Sequence, residues 1–150
     1  MNNIKRITAL VMAMLMGILM FSGLTNVKAA QTAHVSISSA SANVGDEVTI
    51  TITASSDVKI ELCDIWIDYD ASILQYVNGF NTEGGGTGRL LSSDETSFKV
   101  VFKAINPGTA TISVNKSTSY TGSADEDFMS LTTSSGTVTV KAPASYSSDN

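Results

Sequence analysis

The chain has 150 residues, with 14 acidic and 9 basic side chains, and therefore a formal net charge of −5 at neutral pH. Such a charge repels phosphate backbones and anionic lipids, which argues against nucleic-acid binding. Its one histidine, His34, and one cysteine, Cys63, are too few for a zinc cluster or an internal disulfide. We therefore expect neither an enzyme nor a bound cofactor.

Residues 1–29 have the composition of an export signal. Lys5 and Arg6 form a positive n-region, an apolar stretch follows, and small residues precede a cleavage site after Ala29 or Ala30. The alternative, a retained membrane helix, is disfavoured because the apolar stretch is shorter than the roughly 20 residues that a membrane span prefers. We expect a secreted, extracellular protein without a membrane segment, whose mature form has a net charge of about −8.

Apolar residues alternate with serines and threonines in the first part of the mature chain. The first run contains Val35 and Ile37, and a second run, after a turn at Gly45-Asp46, contains Val48, Ile50 and Ile52. Alternation with a period of two predicts strands with one face on a core and the other towards water. Threonines on the outward face are typical of an exposed β-surface.

The run from Val58 to Val77 contains the clearest strand of the sequence. Four alternate residues are predicted to face the core: Cys63, Ile65, Ile67 and Tyr69. The opposite phase predicts that Asp64, Trp66 and Asp68 lie together on a rigid, exposed face. We expect the strand to end at Asp70, where side-chain oxygens favour a turn, and Cys63 to be a buried thiol.

The second half of the chain is predicted to contain loops and further strands. Residues 81–88 hold four glycines and are expected to form a flexible loop without core contacts, since no lysine or helix follows that would suit a phosphate site. Residues 98–114 predict a β-hairpin around the turn at Asn106-Pro107-Gly108. Residues 117–127 predict a polar loop. Further predicted core and strand residues are Phe128, Met129, Leu131 and the run 136–140.

These patterns predict an all-β protein. Roughly seven to nine short strands without helices favour an antiparallel β-sandwich over residues 33–141. Residues 142–150, which are rich in serine and contain a proline, predict a solvated tail or linker. Periodicity does not distinguish an immunoglobulin-like topology from a jelly roll.

Four segments between residues 35 and 140 match one known pattern in the same order. They are Val44-Gly45-Asp46-Glu47-Val48, the stretch 63–70 with Ile73-Leu74 behind it, Phe102-Lys103-Ala104 before the Pro-Gly turn, and the closing Gly136-Thr-Val-Thr-Val140. Together they resemble cohesin modules, which carry the pattern Cys-Asp-apolar-x-apolar-x-Tyr-Asp-Pro-x-x-Leu in the central segment. The chain departs from the family at Leu62, where a polar residue is usual, and at Ala71, where a proline is usual.

The resemblance implies an extracellular bacterial jelly-roll sandwich, related in fold to cellulose-binding modules, that holds dockerin-bearing enzymes on a scaffolding protein. It implies Asp64 as a partner-binding residue, and the strand phase adds Trp66 and Asp68. Residues 81–97 are shorter than the family region in which two strands of the binding face belong. We therefore expect the fold to carry over better than dockerin recognition does.

Three functions remain open for such a domain. The first is dockerin-type protein assembly through the face of Asp64, Trp66 and Asp68. The second is carbohydrate binding, in which Trp66 would act with aromatics from other segments, namely Tyr76, Phe80 and Tyr120. The third is a spacer in a surface protein. We expect a monomer. We also expect no bound metal, because the oxygen-rich groups Asp68/Asp70 and Asp125-Glu126-Asp127 do not match a calcium loop.

Overall fold

The computed structural model describes residues 29–93, 95–123 and 128–143. The predicted export signal up to residue 28, the segment Asp125-Glu126-Asp127 and the tail from residue 144 lie outside the described residues. Within the described ranges, no helix is long and apolar enough to cross a lipid bilayer.

The described residues form twelve β-strands. In chain order they are β1 (Thr32–Ile37), β2 (Ala40–Asn43), β3 (Glu47–Ser56), β4 (Leu62–Tyr69), β5 (Leu74–Asn78), β6 (Thr82–Gly84), β7 (Thr87–Ser92), β8 (Ser97–Ala104), β9 (Gly108–Val114), β10 (Tyr120–Gly122), β11 (Ser130–Ser134) and β12 (Gly136–Lys141). The count exceeds the expected seven to nine because several strands have only three to five residues, which is too short for periodicity to reveal.

The strands form two sheets that pack face to face. One sheet has the order β11-β1-β3-β8-β5, and the other has the order β2-β12-β9-β4-β7-β6, with β10 paired to β4 beside β9. The β-sandwich expected from the sequence is therefore confirmed. Its pairings are antiparallel except for β1 with β11 and β2 with β12, which are parallel.

The inward faces of both sheets meet in one hydrophobic core. Its largest fully buried apolar side chains include Phe102, Ile50, Ile65, Ile67 and Ile112. Burying one such side chain contributes about 1.5–3 kcal/mol relative to leaving it exposed. Both sheets are thereby held firmly enough to display fixed outer faces.

The predicted hairpin over residues 98–114 is wrong. β8 pairs with β3 and β5, whereas β9 pairs with β4 and β12 in the other sheet. The turn after Asn106 therefore carries the chain across the sandwich, and the Asn106 side chain anchors it by donating a hydrogen bond to the carbonyl of Ser72. Alternation identifies the buried face of a strand but not the strand beside which it lies.

The glycine-rich segment 81–88 is also structured, contrary to the expected loop without core contacts. β6 and β7 form a hairpin whose two-residue turn, Gly85-Gly86, has φ angles of 64° and 87°, as a tight hairpin of the primed type requires. Gly88 is buried because the ring of Phe80 lies where a side chain would be. The short segment 81–97 therefore holds two strands, although it was expected to be mostly loop.

Two further expectations need correction after residue 115. Residues 117–123 do not form only a loop, since they contain β10, which pairs with the first half of β4. Met129 is buried as expected, but the side chain of Phe128 is 75% exposed instead of covering the core. Phe128 bridges to Gly122 and so extends the outer face of the same sheet.

Candidate functional site

The candidate site is the outer face of β4 and its neighbours. The predicted strand phase is confirmed on the core side, where Cys63, Ile65 and Ile67 are at most 1% exposed. β7 runs along one side of β4, while β9 and β10 share the other side. Side chains from four strands therefore meet around the outward residues of β4.

Asp64 is not exposed, contrary to the expectation from the sequence. It is only 2% exposed because Arg89 of β7 reaches across from its position opposite Trp66. Arg89 Nε donates to Asp64 Oδ1 at 2.8 Å, and Arg89 Nη2 donates to Asp64 Oδ2 at 2.5 Å. This two-point contact, which has the strongest geometry available to an Arg–carboxylate pair, lowers the pKa of Asp64 despite the opposing effect of burial.

The same guanidinium covers part of Trp66. Its central carbon lies 5.4 Å from the centre of the Trp66 ring, within the range of a cation–π contact. Trp66 is half-buried and not the fully exposed anchor that strand phase alone predicted. Arg89 thus links the acidic and the aromatic residue into one fixed unit.

The remaining polar groups on this face are held by neighbouring strands. Asp68 is half-buried, and its Oδ1 accepts a hydrogen bond from the hydroxyl of Thr87 at 3.0 Å. The backbone N–H of Trp66 donates to Ser119 Oγ at 2.8 Å, where the chain passes from β9 to β10. The Trp66 carbonyl accepts from the N–H of Asn115 at 2.8 Å. The middle of β4 is therefore rigid even where regular pairing is interrupted.

Exposed apolar side chains lie beside this fixed unit. Leu91 and Tyr120 stand opposite Asp64 on the two neighbouring strands and are 40% and 36% exposed. The rings of Tyr120 and Phe128 pack edge to face, with centres 5.5 Å apart. We call the set of Asp64, Trp66, Asp68, Arg89, Leu91, Tyr120 and Phe128 the β4 face.

Tyr120 is connected electrostatically to Asp64. The nearby carboxylate raises the pKa of the Tyr120 hydroxyl, mainly through hydrogen bonding. The phenol therefore stays neutral at ordinary pH and keeps its hydrogen as a donor. The exposed side chains of Leu91, Tyr120 and Phe128 form the apolar rim of the β4 face. The polar side chains of this face already form hydrogen bonds.

Sequence reasoning missed Arg89, Leu91 and Phe128 as members of this surface. Arg89 and Leu91 belong to a short run that showed only a weak strand pattern, and Phe128 was assigned to the core. Tyr120 lies on the same outer face as Trp66, opposite Asp64, whereas Tyr76 and Phe80, named with it as further aromatics, do not. Their rings stack on each other at 5.2 Å between centres, and Phe80 packs against Tyr69 and Phe102 of the core.

The described residues include no group of three His, Cys, Asp or Glu side chains placed to bind a metal. Asp70 instead forms the turn that ends β4, accepting hydrogen bonds from the backbone N–H and the hydroxyl of Ser72. The geometry of the β4 face suits recognition of another surface, since its central polar groups are paired and its exposed groups are apolar.

A family model for the cohesin domain matches residues 33–147. The chain belongs to the cohesin family. The match runs from the second residue of β1 through β12, so the family resemblance seen in the sequence is confirmed. No curated protein sequence matches the chain.

Solved cohesins share this fold. A chain from the complex of CaCohA2, a Clostridium acetobutylicum cohesin, with CaDoc0917 superposes on this chain with a TM-score of 0.66 and 20% identity. The superposition covers 73% of this chain and 100% of that one. The sixth cohesin of Acetivibrio cellulolyticus scaffoldin B, solved with a Cel5 dockerin, gives 0.63 and 19%, covering 73% and 99%. A non-cellulosomal cohesin from the archaeon Archaeoglobus fulgidus gives 0.64 and 13%, covering 73% and 91%. The sandwich is therefore a cohesin-type jelly roll.

Proposed function

We propose that this chain is a secreted, non-catalytic module that binds a dockerin-type protein partner through the β4 face. Membership of the cohesin family supports a binding role. Two of the similar solved cohesins are complexes, one with CaDoc0917 and one with a Cel5 dockerin. Export is supported by the signal-like composition of residues 1–29.

The observation that carries the proposal is the apolar rim of the β4 face. Tyr120 and Phe128 pack against each other, and Leu91 lies across β4 from Tyr120. All three are large apolar side chains exposed on one sheet surface. Clustered apolar groups of this kind mark interaction sites more often than scattered ones do. Aromatic residues also contribute disproportionately to the energy of protein interfaces.

The residues expected from the sequence take different roles in this proposal. Trp66 and Asp68 remain available at the surface as half-buried contacts. Asp64 acts through Arg89, because its own oxygens are occupied and its surface is covered. A partner would meet the guanidinium stacked on Trp66 and not the carboxylate itself.

Carbohydrate binding is the second candidate. Tyr120, Phe128 and Trp66 all lie on the β4 face, and aromatic rings can stack on sugars. However, the Tyr120 and Phe128 rings lie at 83° to each other, whereas a flat polysaccharide requires rings that share a plane. Arg89 also covers part of the Trp66 ring. The geometry therefore favours a protein partner.

The test compares the two ligand classes with the same protein. The secreted chain, immobilised through a C-terminal tag, is exposed to the extracellular proteins of its source organism, and captured proteins are identified by mass spectrometry. We expect proteins that carry dockerin modules. In parallel, the free chain is incubated with insoluble cellulose and xylan, from which we expect no retention above that of serum albumin.

If the chain is retained on a polysaccharide and captures no dockerin, its function is carbohydrate binding and the proposal is wrong. Absence of both would leave a spacer domain and contradict the proposal. Binding to either ligand should not depend on added enzyme cofactors, since a recognition module only has to present its surface.

A further inference from the structure

A recess lies at the end of the sandwich, and none of the residues that line it belongs to the β4 face. It has a volume of about 510 Å³ and opens where β4 ends, β5 begins and the β6–β7 turn closes over them. Its lining includes Tyr69, Gln75, Tyr76, Glu83 and Gly86. This volume falls within the roughly 300–1,000 Å³ usual for ligand sites.

The recess is rich in hydrogen-bond acceptors. The Tyr69 hydroxyl donates its hydrogen to Glu83 Oε1 and therefore keeps only lone pairs for another group. The Glu83 carboxylate has a second oxygen, and none of the lysines or arginines of the described residues forms an ion pair with Glu83. The recess thus holds a carboxylate that forms no ion pair with the described cations. The cations on neighbouring strands are Lys103, opposite Gln75, and Arg89, opposite Thr82 and engaged by Asp64.

Aromatic packing holds this arrangement in place. The Tyr69 ring lies in the core against Phe102, with centres 4.8 Å apart, so its hydroxyl is fixed at the rim. One side of the Tyr76 ring stacks on Phe80, and its hydroxyl accepts from the Phe80 N–H at 3.1 Å. The rest of the half-buried Tyr76 ring faces the recess as an apolar wall.

We propose that this recess binds an organic cation, an ammonium or guanidinium group on an aliphatic stem such as a lysine or arginine side chain. The head group would donate to Glu83 and to the Tyr69 oxygen, and the stem would lie along Tyr76, whose ring face also attracts positive charge. This site shares no residue with the β4 face and does not depend on the dockerin proposal.

A sugar fits the recess less well. The faces of Tyr69 are covered by Phe80 and Phe102, which leaves only Tyr76 for stacking. A polyol also needs donors as well as acceptors. The hydrogen of Tyr69 is already committed to Glu83, so the Gln75 amide is the side chain of the lining that supplies donors. An ammonium group, with three donors and no acceptor, matches the set of groups present.

The inference is tested by NMR titration of the isotope-labelled secreted chain. The probes are the amide-capped peptides Gly-Lys-Gly and Gly-norleucine-Gly, together with butylammonium, cellobiose and calcium chloride. We expect saturable shifts of the Gln75, Gly85 and Gly86 amides with the lysine peptide, with a dissociation constant on the order of millimolar. The norleucine peptide should produce none. Tighter binding of the lysine peptide than of butylammonium would indicate a polypeptide source, and equal binding would indicate a free amine.

Two variants and one control locate the site. Glu83→Gln should weaken lysine-peptide binding about tenfold or more, the loss expected for one charge-assisted hydrogen bond. Gln75→Glu, which adds a second carboxylate on an exposed position, should strengthen it about two- to fivefold. Glu95→Gln, which changes an exposed glutamate in the loop between β7 and β8 and outside the lining of the recess, should change nothing.

The proposal would be overturned if the norleucine peptide caused shifts as large as those of the lysine peptide. It would also be overturned if neither Glu83→Gln nor Gln75→Glu changed the affinity for the lysine peptide. Larger shifts with cellobiose or calcium than with the lysine peptide would also overturn it, because they would identify a different ligand. In either case Glu83 would serve only Tyr69 and the edge of the sheet, where an inward-pointing charge discourages pairing with another strand.

Discussion

Two strands meet at Arg89, which stands opposite Trp66 and reaches across to the carboxylate of Asp64. One guanidinium therefore neutralises the acid and shields part of the indole. The sequence identifies Asp64 and Trp66 as outward residues, but it does not show that a cation on another strand covers them. The atoms that a partner can contact here therefore depend on the position of Arg89 as well as on the strand phase of β4.

The Asp64–Arg89 pair predicts a specific dependence of stability on pH. The folded-state pKa of Asp64 is lowered, chiefly by the hydrogen bonds from Arg89, relative to about 3.9 for an unfolded chain. Its stabilising contribution is therefore complete above about pH 4 and is lost as the pH falls through the folded-state pKa. Asp64→Asn should reduce the free energy of unfolding by about 1–3 kcal/mol at pH 7, and by less at pH 3.

Urea unfolding at pH 7, 5 and 3 measures this difference. Asp57→Asn is the control, because Asp57 is an exposed residue of the described surface and should have little effect at any of these values. A constant gap between wild type and Asp64→Asn across the three pH values would show that ionisation of Asp64 does not stabilise the fold.

Cys63 provides a second prediction for a single residue. Burial raises the pKa of Cys63 to about 11, and only the thiolate reacts with disulfide reagents. At pH 8 the native protein should react with 5,5′-dithiobis(2-nitrobenzoic acid) about a hundredfold more slowly than urea-unfolded protein, since the thiolate fraction falls tenfold for each pKa unit. The stability that the buried neutral thiol contributes should decline as the pH rises from about 9 towards 11. Similar reaction rates in the two states would place Cys63 at the surface.

Among the elements, β4 is the strand that the sequence predicts best. Its regular alternation over eight positions identifies the core-facing residues correctly, although it does not predict the burial of Asp64 on the other face. β6 and β10 have three residues each and carry no usable alternation. The pairing of β8 and β9 with strands of different sheets depends on contacts distant in sequence, so a nearby turn suggested a hairpin that does not form.

The hairpin of β6 and β7 supports a prediction about its glycines. A methyl group on Gly88 would lie 2.2–2.4 Å from atoms of the Phe80 ring, so the ring would have to leave its place among the core aromatics. Gly88→Ala should lower the free energy of unfolding by about 1–3 kcal/mol. Gly84→Ala is the matched control, because a methyl group there meets nothing within 4 Å. Equal stabilities of the two variants by thermal unfolding would contradict the described packing.

On the scale of the whole molecule, the two sheets have different outer surfaces. The five-stranded sheet presents threonines, serines and lysines on β3 and β8, whereas the seven-stranded sheet presents the apolar rim of the β4 face. The sandwich and the cohesin family could be predicted from alternation and motif order. The binding surface could be predicted only in part, because Arg89, Leu91 and Phe128 become neighbours of β4 only through folding.

The affinity of surface variants for a captured dockerin tests the central claim most directly. The secreted wild type is compared with the double variant Leu91→Ser, Phe128→Ser and with the control Val101→Ser, a half-buried outward residue of the other sheet. Binding can be followed through Trp66, the single tryptophan of the chain. We predict that the double variant loses about thirtyfold or more in affinity, equivalent to at least about 2 kcal/mol, and that Val101→Ser is unchanged. Loss of affinity in Val101→Ser with the double variant unaffected would place the binding surface on the other sheet.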